Sequence, residues 1–172
     1  MQTSLVLTVL GADSKGLVKS LSNVINNHSA SWEESRMIHL AGKFAGLLQI
    51  SLPIDQVDAL TIALKVLEKE GLNIVIEQAG SIVEPTTQIL TLELLGQDRP
   101  GIIHDITQQL EMLHVNIEKL ESELRTASMS SESLFYAQLT LGLPDTVTPE
   151  NVQDTLEEMS DQLMVDLNFD VD

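Results

Sequence analysis

The chain has 172 residues, with 9 lysines and arginines against 26 aspartates and glutamates, so its formal charge is −17. Nucleic acids and anionic membranes are both bound through basic side chains, which pair with phosphate groups and displace counterions. A chain this acidic is therefore not expected to bind either of them directly.

Cysteine is absent, which excludes a catalytic thiol, a thiolate metal site and a disulfide framework. The first residues lack the basic stretch and apolar run of a secretion signal, and the sequence has no run of about 18 apolar residues to span a bilayer. We therefore expect a cytoplasmic protein. Hydrophobic residues make up 43% of the chain, which is enough for a packed core in one domain or two small ones.

An internal repeat indicates two domains. Residues 5–16 align with residues 90–101, and the positions that recur unchanged are Gly11, Asp13 and Gly16 in the first copy and Gly96, Asp98 and Gly101 in the second. The offset between the copies is 85 here and grows to 91 where residues 52 and 53 match residues 143 and 144. Six residues are therefore inserted in the second copy, and we place them in the stretch from Thr126 to Ser133.

Both copies predict the same succession of elements. Apolar residues alternate along a first strand, follow helical spacing, alternate along two further strands, and then mark a second helix and a last strand. In the first copy the predicted segments are 5–10, 17–25, 31–40, 44–52, a helix from 55, and 73–78. In the second copy they are 90–94, 102–113, 115–124, 134–143, a helix from 148, and 165–171.

The second helix of each copy has a start signal in the sequence. Asp55 is predicted to cap the helix of the first copy. Thr148 is predicted to cap the helix of the second copy, with Pro149 at its first position, where a missing amide costs nothing. The order is thus βαββαβ in each copy.

This order predicts an α+β fold of two ferredoxin-like domains, each an antiparallel four-stranded sheet with both helices on one face. Residues 84–87, with the sequence Glu-Pro-Thr-Thr, indicate a short linker, so we predict domains at 1–82 and 87–172. Charge differs between the halves: residues 1–85 carry 6 basic and 9 acidic side chains, whereas residues 86–172 carry 3 and 17. The acidic half is either a solvated surface or a docking surface for a basic partner.

The loop at residues 96–101, between the first strand and first helix of the second copy, carries the main functional signal. Gly96 is expected to let the chain leave the strand at an angle that a side chain would obstruct, and Gly101 to let backbone approach a neighbour or ligand. Pro100 lies near the helix start, whose free amides suit a carboxylate. Asp98 is expected to cap the helix or to receive an ammonium group. A zwitterionic amino acid fits both features, and a capped turn without ligand is the alternative.

The sequence around this loop resembles the ACT domain, a regulatory module that senses amino acids. The resemblance is carried by the G-x-D-R-P-G-I-I run at residues 96–103 and by His-Val-Asn-Ile-Glu at residues 114–118, which opens the second strand. It covers the chain as two tandem copies, although the first copy departs from the pattern at the Arg, Pro and Asn positions. With Trp-Glu-Glu-Ser-Arg-Met at residues 32–37 and Gly-Lys-Phe-Ala-Gly-Leu at residues 42–47, the pair is similar to the glycine cleavage system transcriptional repressor family.

By position, the resemblance implies ligand-binding residues in the second copy, with weaker candidates in the first. The second copy supplies Gly96, Asp98, Arg99, Pro100, Gly101 and Asn116, and the first supplies Gly11, Asp13, Gly16 and Ser31. The implied ligand is a small amino acid, glycine by resemblance, bound where the loop of one domain meets the strand of a neighbouring domain or chain. Arg99 as a solvated charge and Asn116 as a turn residue remain alternatives.

The resemblance also implies a regulator without catalysis or cofactor, which represses glycine cleavage genes through a DNA-binding transcription factor. No metal is expected, because the four histidines lack zinc-ligand spacing. A detached regulatory subunit of an amino-acid metabolic enzyme is one alternative function. A small-molecule hydrolase or isomerase on the same scaffold is another, since fold does not fix function. The strand edges permit pairing between domains or a homo-oligomer.

Overall fold

The computed structural model describes residues 1–80, 88–126 and 132–171. The chain divides into two compact units, Met1–Ile82 and Val83–Asp172, which we call domain 1 and domain 2. The predicted linker at residues 84–87 lies outside the described residues, and so does most of the predicted six-residue insertion. The strands that flank the insertion end at Thr126 and begin again at Ser133.

Both domains follow the predicted order of elements. Domain 1 contains β1 (Gln2–Ala12), α1 (Leu17–Asn27), β2 (Ser31–Leu40), β3 (Lys43–Pro53), α2 (Val57–Leu67) and β4 (Leu72–Gln78). Domain 2 contains β5 (Gln88–Gln97), α3 (Ile102–Met112), β6 (Asn116–Thr126), β7 (Ser133–Leu143), α4 (Pro149–Leu163) and β8 (Val165–Val171).

Each domain holds one four-stranded sheet, in the order β2-β3-β1-β4 and β6-β7-β5-β8 respectively. Every adjacent pair of strands is antiparallel, and the first strand of each copy lies in the middle, between the third and the fourth. The central strand is therefore paired on both edges. This is the predicted ferredoxin-like α+β fold, present twice.

The helices cover one face of each sheet. Alternate residues of the central strand, Leu5, Leu7 and Val9 in β1, are buried with α1 residues Leu17 and Leu21. In domain 2 the corresponding core is formed by Leu90, Leu92, Leu94, Ile102, Ile106, Leu110, Leu139, Leu141, Val152 and Leu156. The predicted strand alternation and helix stripes are confirmed at these positions. The opposite face of each sheet carries no helix, and we call it the helix-free face.

The starts of the second helices differ between the copies. Thr148 caps α4 as predicted: its hydroxyl accepts the Asn151 amide at 3.3 Å, the Asn151 side chain accepts the Thr148 amide at 3.1 Å, and Pro149 is the first helical residue. The Asp55 prediction is wrong, because Asp55 lies inside a short 3-10 turn and α2 begins only at Val57 with no side-chain cap. Because of this turn, α2 begins one residue later than the predicted cap would place it.

The role predicted for Gly96 is also wrong. Strand β5 continues through Gly96 to Gln97, so the chain does not leave the sheet at the glycine. A Cβ on Gly96 would lie 2.5 Å from Cγ1 of Val165 and 2.8 Å from the Met164 carbonyl oxygen. The missing side chain therefore lets β8 approach β5. Gly11 does the same for β4 in domain 1, where a Cβ would lie 2.7 Å from the Gly71 carbonyl oxygen.

Candidate functional site

The predicted loop of domain 2 joins the end of β5 to the start of α3. Gly101 precedes the helix in the left-handed region, with φ 93°, and its carbonyl accepts the Asp105 amide at 2.9 Å. The amides of the first helical turn have no partner within a helix and face outward, which favours an anion. A Cβ on Gly101 would have no atom closer than 3.8 Å, so this glycine supplies a backbone conformation and not the close approach that we expected.

Arg99 is held against the first turn of α3. Its guanidinium donates to Oδ2 of Asp105 at 3.1 Å and to the Pro100 carbonyl at 3.1 Å. The two charged side chains are 30% and 35% exposed, so the pair is partly screened by water. Arg99 is thus neither a freely solvated charge nor an unoccupied carboxylate ligand. The ion pair places the Arg99 guanidinium and the Asp105 carboxylate together beside the amides at the helix start.

Asp98 does not cap α3, contrary to one of its two predicted roles. Gly101 occupies the cap position, and α3 has no side-chain cap hydrogen bond. The Asp98 amide donates to the Ser133 carbonyl at 3.2 Å, while its side chain is exposed. The second predicted role, in which the Asp98 carboxylate receives an ammonium group, stays a prediction.

Asn116 begins β6, immediately after α3 and the turn that follows it. Its amide donates to Oε1 of Glu118 at 2.7 Å and the residue is exposed. A shallow cleft of about 550 Å³ lies beside it, lined by Thr107, Leu110, Glu111, His114, Val115, Asn116 and Ile117. His114 takes a left-handed conformation, with φ 57°, to turn the chain into the strand. Asn116 therefore lies on an open cleft with polar groups on its rim.

The loop and Asn116 occupy opposite ends of domain 2. Gly96 pairs with Phe135, whereas Asn116 pairs with Gly142, which in turn faces Ile89 at the beginning of β5. The stretch of β5 from Ile89 to Gly96 is roughly 24 Å of extended strand. The predicted residues therefore lie in two separate groups within the domain, which we call the loop end, residues 96–101, and the Asn116 end.

Domain 1 repeats this geometry with different chemistry. Gly16 precedes α1 with φ 93°, as Gly101 precedes α3, and Ser31 begins β2 at the end of the sheet remote from the loop. Asp13 in the loop lies 3.4 Å from Nε2 of His39. The candidates Gly11, Asp13 and Gly16 thus share one end of the domain, without an arginine or proline beside them, and Ser31 lies at the other.

A polar network on the helix-free face of domain 2 was not predicted. Oε1 of Glu93 accepts the Tyr136 hydroxyl at 3.0 Å and the Gln138 amide at 3.4 Å, while its Oε2 accepts the Asn168 amide at 3.4 Å. Arg125 lies 3.5 Å above the centre of the Tyr136 ring. These residues lie on four different strands and come together only through strand pairing, so no local sequence motif predicts them. We call these five residues the Glu93 network.

The network changes the acidity of its tyrosine in a testable way. The hydrogen bond to Glu93 raises the pKa of Tyr136 above its ordinary value of 10.0, desolvation adds to this, and the charge of Arg125 opposes it. The pKa of Tyr136 is therefore higher in the folded protein than in the unfolded chain. The protonated tyrosine stabilises the folded state fully at pH values below the unfolded pKa, and this stabilisation is lost as pH rises through the folded pKa.

We expect Glu93→Gln to lower the pKa of Tyr136 and Arg125→Gln to raise it further, because the first removes a negative charge and the second a positive one. The ultraviolet absorbance of tyrosinate, titrated with base, measures both shifts cleanly because Tyr136 is the one tyrosine in the sequence. If both variants shifted the pKa of Tyr136 in the same direction, the described placement of Glu93 and Arg125 beside the tyrosine would be wrong.

The described residues hold neither a buried polar cluster nor a group of metal-ligand side chains. Within residues 1–80, 88–126 and 132–171, no polar or charged side chain is fully buried, and no three His, Asp or Glu side chains are grouped to hold a metal ion. No helix in the described part of the chain is long and apolar enough to cross a membrane.

The structure is thus a tandem pair of ferredoxin-like domains with a glycine loop ahead of the first helix of each. Residues 3–77 match the family model of the ACT domain, and domain 2 repeats that topology element by element. Over 164 residues the chain is 23% identical to the glycine cleavage system transcriptional repressor of Escherichia coli (strain K12), covering 94% of this chain and 86% of that protein. Domain 1 thus matches the ACT domain over residues 3–77, and the chain as a whole is similar to a glycine cleavage system transcriptional repressor.

Two solved structures share the whole fold. A protein of unknown function from Galdieria sulphuraria is 28% identical, with a TM-score of 0.88, and the match covers 100% of this chain and 99% of that one. A crystal structure assigned provisionally as a glycine cleavage system transcriptional repressor is 15% identical, with a TM-score of 0.74 and coverage of 100% and 98%. The predicted architecture is confirmed over both domains.

Proposed function

We propose that this chain is a non-catalytic, amino-acid-sensing regulatory protein that represses glycine cleavage genes through a DNA-binding partner. The similarity over both domains to a glycine cleavage system transcriptional repressor supports the regulatory role. The observation that carries the sensing role is the loop end of domain 2. There, the helix-start amides favour a carboxylate, to which the Arg99 guanidinium contributes by exchanging Asp105 for the ligand, and the exposed Asp98 carboxylate favours an ammonium group.

The proposed ligand is a free amino acid held between the loop end of domain 2 in one chain and the Asn116 end of domain 2 in a second chain. The two ends are too far apart within domain 2 for one small molecule to touch both, so the neighbour must supply the second half. Asn116 is suited to this because its amide both donates and accepts hydrogen bonds. Its present partner, Glu118, is exposed, so a ligand replaces that hydrogen bond at little cost.

The size of glycine limits its affinity. Five heavy atoms at a ceiling of about 1.5 kcal/mol each give at most about 7.5 kcal/mol of binding free energy. This corresponds to a dissociation constant in the micromolar range or weaker. Such an affinity suits a sensor of a metabolite that is present at high concentration.

Charge supports action through a partner. The 17 excess acidic groups oppose contact with a phosphate backbone, and they are concentrated in residues 86–172. A regulator with this charge influences transcription by binding another protein, and its acidic half is complementary to a basic surface.

Isothermal titration against a panel of free amino acids, including glycine, alanine and serine, tests the sensing role. We expect one small amino acid to bind, and Asn116→Ala to weaken it by about 10-fold, the equivalent of one lost hydrogen bond. The matched control is Ser31→Ala, which changes the equivalent position of domain 1. Absence of binding across the panel would overturn the sensing proposal. Equal weakening by both variants would overturn the assignment to domain 2.

A further inference from the structure

The helix-free face of domain 1 is covered by large apolar side chains. Five of them are between 47% and 70% exposed: Leu10, Ile38, Leu40, Leu47 and Val75. Strand register places them on one surface, since Leu47 and Val75 both flank Thr8, and Ile38 and Leu10 both flank Ala45. We call these five residues the apolar face. Monomeric proteins rarely leave a patch of this kind uncovered without a binding role.

The repeat provides an internal comparison for this face. The five equivalent sheet positions in domain 2 hold one leucine, two charged residues and two amides. In the order Leu10, Ile38, Leu40, Leu47 and Val75, the equivalents are Leu95, Glu123, Arg125, Gln138 and Asn168. The ferredoxin-like fold therefore does not require apolar residues there. Domain 1 carries them in addition to its buried core, whereas domain 2 carries the Glu93 network.

Charge favours a second copy of the chain as the occupant. A chain with a charge of −17 repels its own copies, but residues 1–85 hold only three of the excess acidic groups. Two copies therefore approach with least repulsion through domain 1. A two-fold axis brings a surface against itself, and an apolar surface is complementary to itself where a charged one is not.

The charged side chains at the rim of the apolar face are compatible with the pairing of two copies. Nη2 of Arg36 lies 2.8 Å from Oε1 of Glu34, so these two charges are paired within one chain. Lys43, opposite Leu40, and Glu77, opposite Val6, lie on the same face and add one charge of each sign to its rim. An apolar centre with a polar rim is the common anatomy of a protein interface.

The area of the apolar face can be compared with the area that a dimer interface buries. Four strands span about 19 Å and the seven residues of β4 about 24 Å, so the face projects onto roughly 450 Å². The accessible area of a corrugated surface exceeds its projection, and a standard interface buries about 800 Å² on each partner. Two such faces packed together bury at least about 900 Å² in total, which is the range of weak, concentration-dependent association.

We propose that the chain forms a homodimer in which the apolar faces of two copies of domain 1 pack against each other. The helix-free face of domain 2 stays in water, where its Glu93 network is hydrated. This proposal concerns assembly and does not depend on the ligand or on the partner regulator.

Sedimentation velocity of the full chain over a range of concentrations tests the proposal. We expect a dimer for the natural chain, and Leu47→Glu to weaken the dimer by roughly 100-fold or more, since each copy would bury a carboxylate against apolar side chains. The matched control is Gln138→Glu at the equivalent position of domain 2, which should leave the dimer intact. Circular dichroism confirms that both variants fold, as expected for exposed or half-exposed positions.

Three results would overturn it. The natural chain could sediment as a monomer at every concentration. The dimer could survive both Leu47→Glu and Ile38→Glu. Alternatively, Ile62→Glu, on the exposed side of α2, could dissociate the dimer while Leu47→Glu does not, which would place the interface on the helices.

Discussion

Leu92→Ala is expected to lower the free energy of unfolding by about 2–5 kcal/mol. Leu92 lies in the middle of the central strand β5, is completely buried, and pairs with Leu139 and Phe169 on the two flanking strands. Truncation leaves a cavity that strands on both sides cannot close. Because a domain of this size is stable by only about 5–15 kcal/mol, the loss is a large share of the total.

Urea unfolding followed by far-ultraviolet circular dichroism measures this effect. Leu95→Ala is the matched control, since Leu95 lies on the same strand but points to the helix-free face and is 36% exposed. It should cost about 1 kcal/mol or less. Equal destabilisation by the two variants would mean that the strand does not present alternate faces as described.

Gly96→Ala is expected to destabilise domain 2 by about 1–3 kcal/mol, because the added Cβ overlaps Val165 and the Met164 carbonyl. Relief requires β8 to move away from β5, which strains the hydrogen bonds of that pair. Gly11→Ala should have a similar effect in domain 1, where the Gly71 carbonyl is in the way.

The control for the glycine variants is Gly80→Ala, since a Cβ at Gly80 meets no atom within 4 Å. Thermal unfolding of the three variants ranks them directly. A Gly80→Ala effect as large as that of Gly96→Ala would show that close packing is not what requires glycine in the strand.

The fold was predictable because its signals are local and occur twice. Alternation and helical spacing in each copy placed the elements, and β2 at Ser31–Leu40 and β8 at Val165–Val171 coincide with the predicted ranges. The repeated glycines aligned the two copies, so the pattern of each copy supported the order of elements predicted for the other. The capping prediction at Asp55 failed because a 3-10 turn precedes α2, and a single polar residue does not distinguish such a turn from a helix cap.

The site was less predictable because it depends on register. Gly96 reads as a turn residue in the sequence, but its role is set by Val165, which only the pairing of β5 with β8 brings near. The Glu93 network joins Glu93 to Tyr136 across 43 residues and has no local signature. The pairing of Arg99 with Asp105 follows from a loop conformation that no spacing rule specifies.

In the proposed function, a small amino acid changes how strongly this chain binds a protein partner. The most direct test is the dissociation constant of its complex with the DNA-binding regulator of the glycine cleavage genes, measured with and without glycine at a saturating concentration. We expect the two constants to differ by at least about 5-fold, because a ligand acts only through its different affinities for two states of the protein. Equal constants would contradict it.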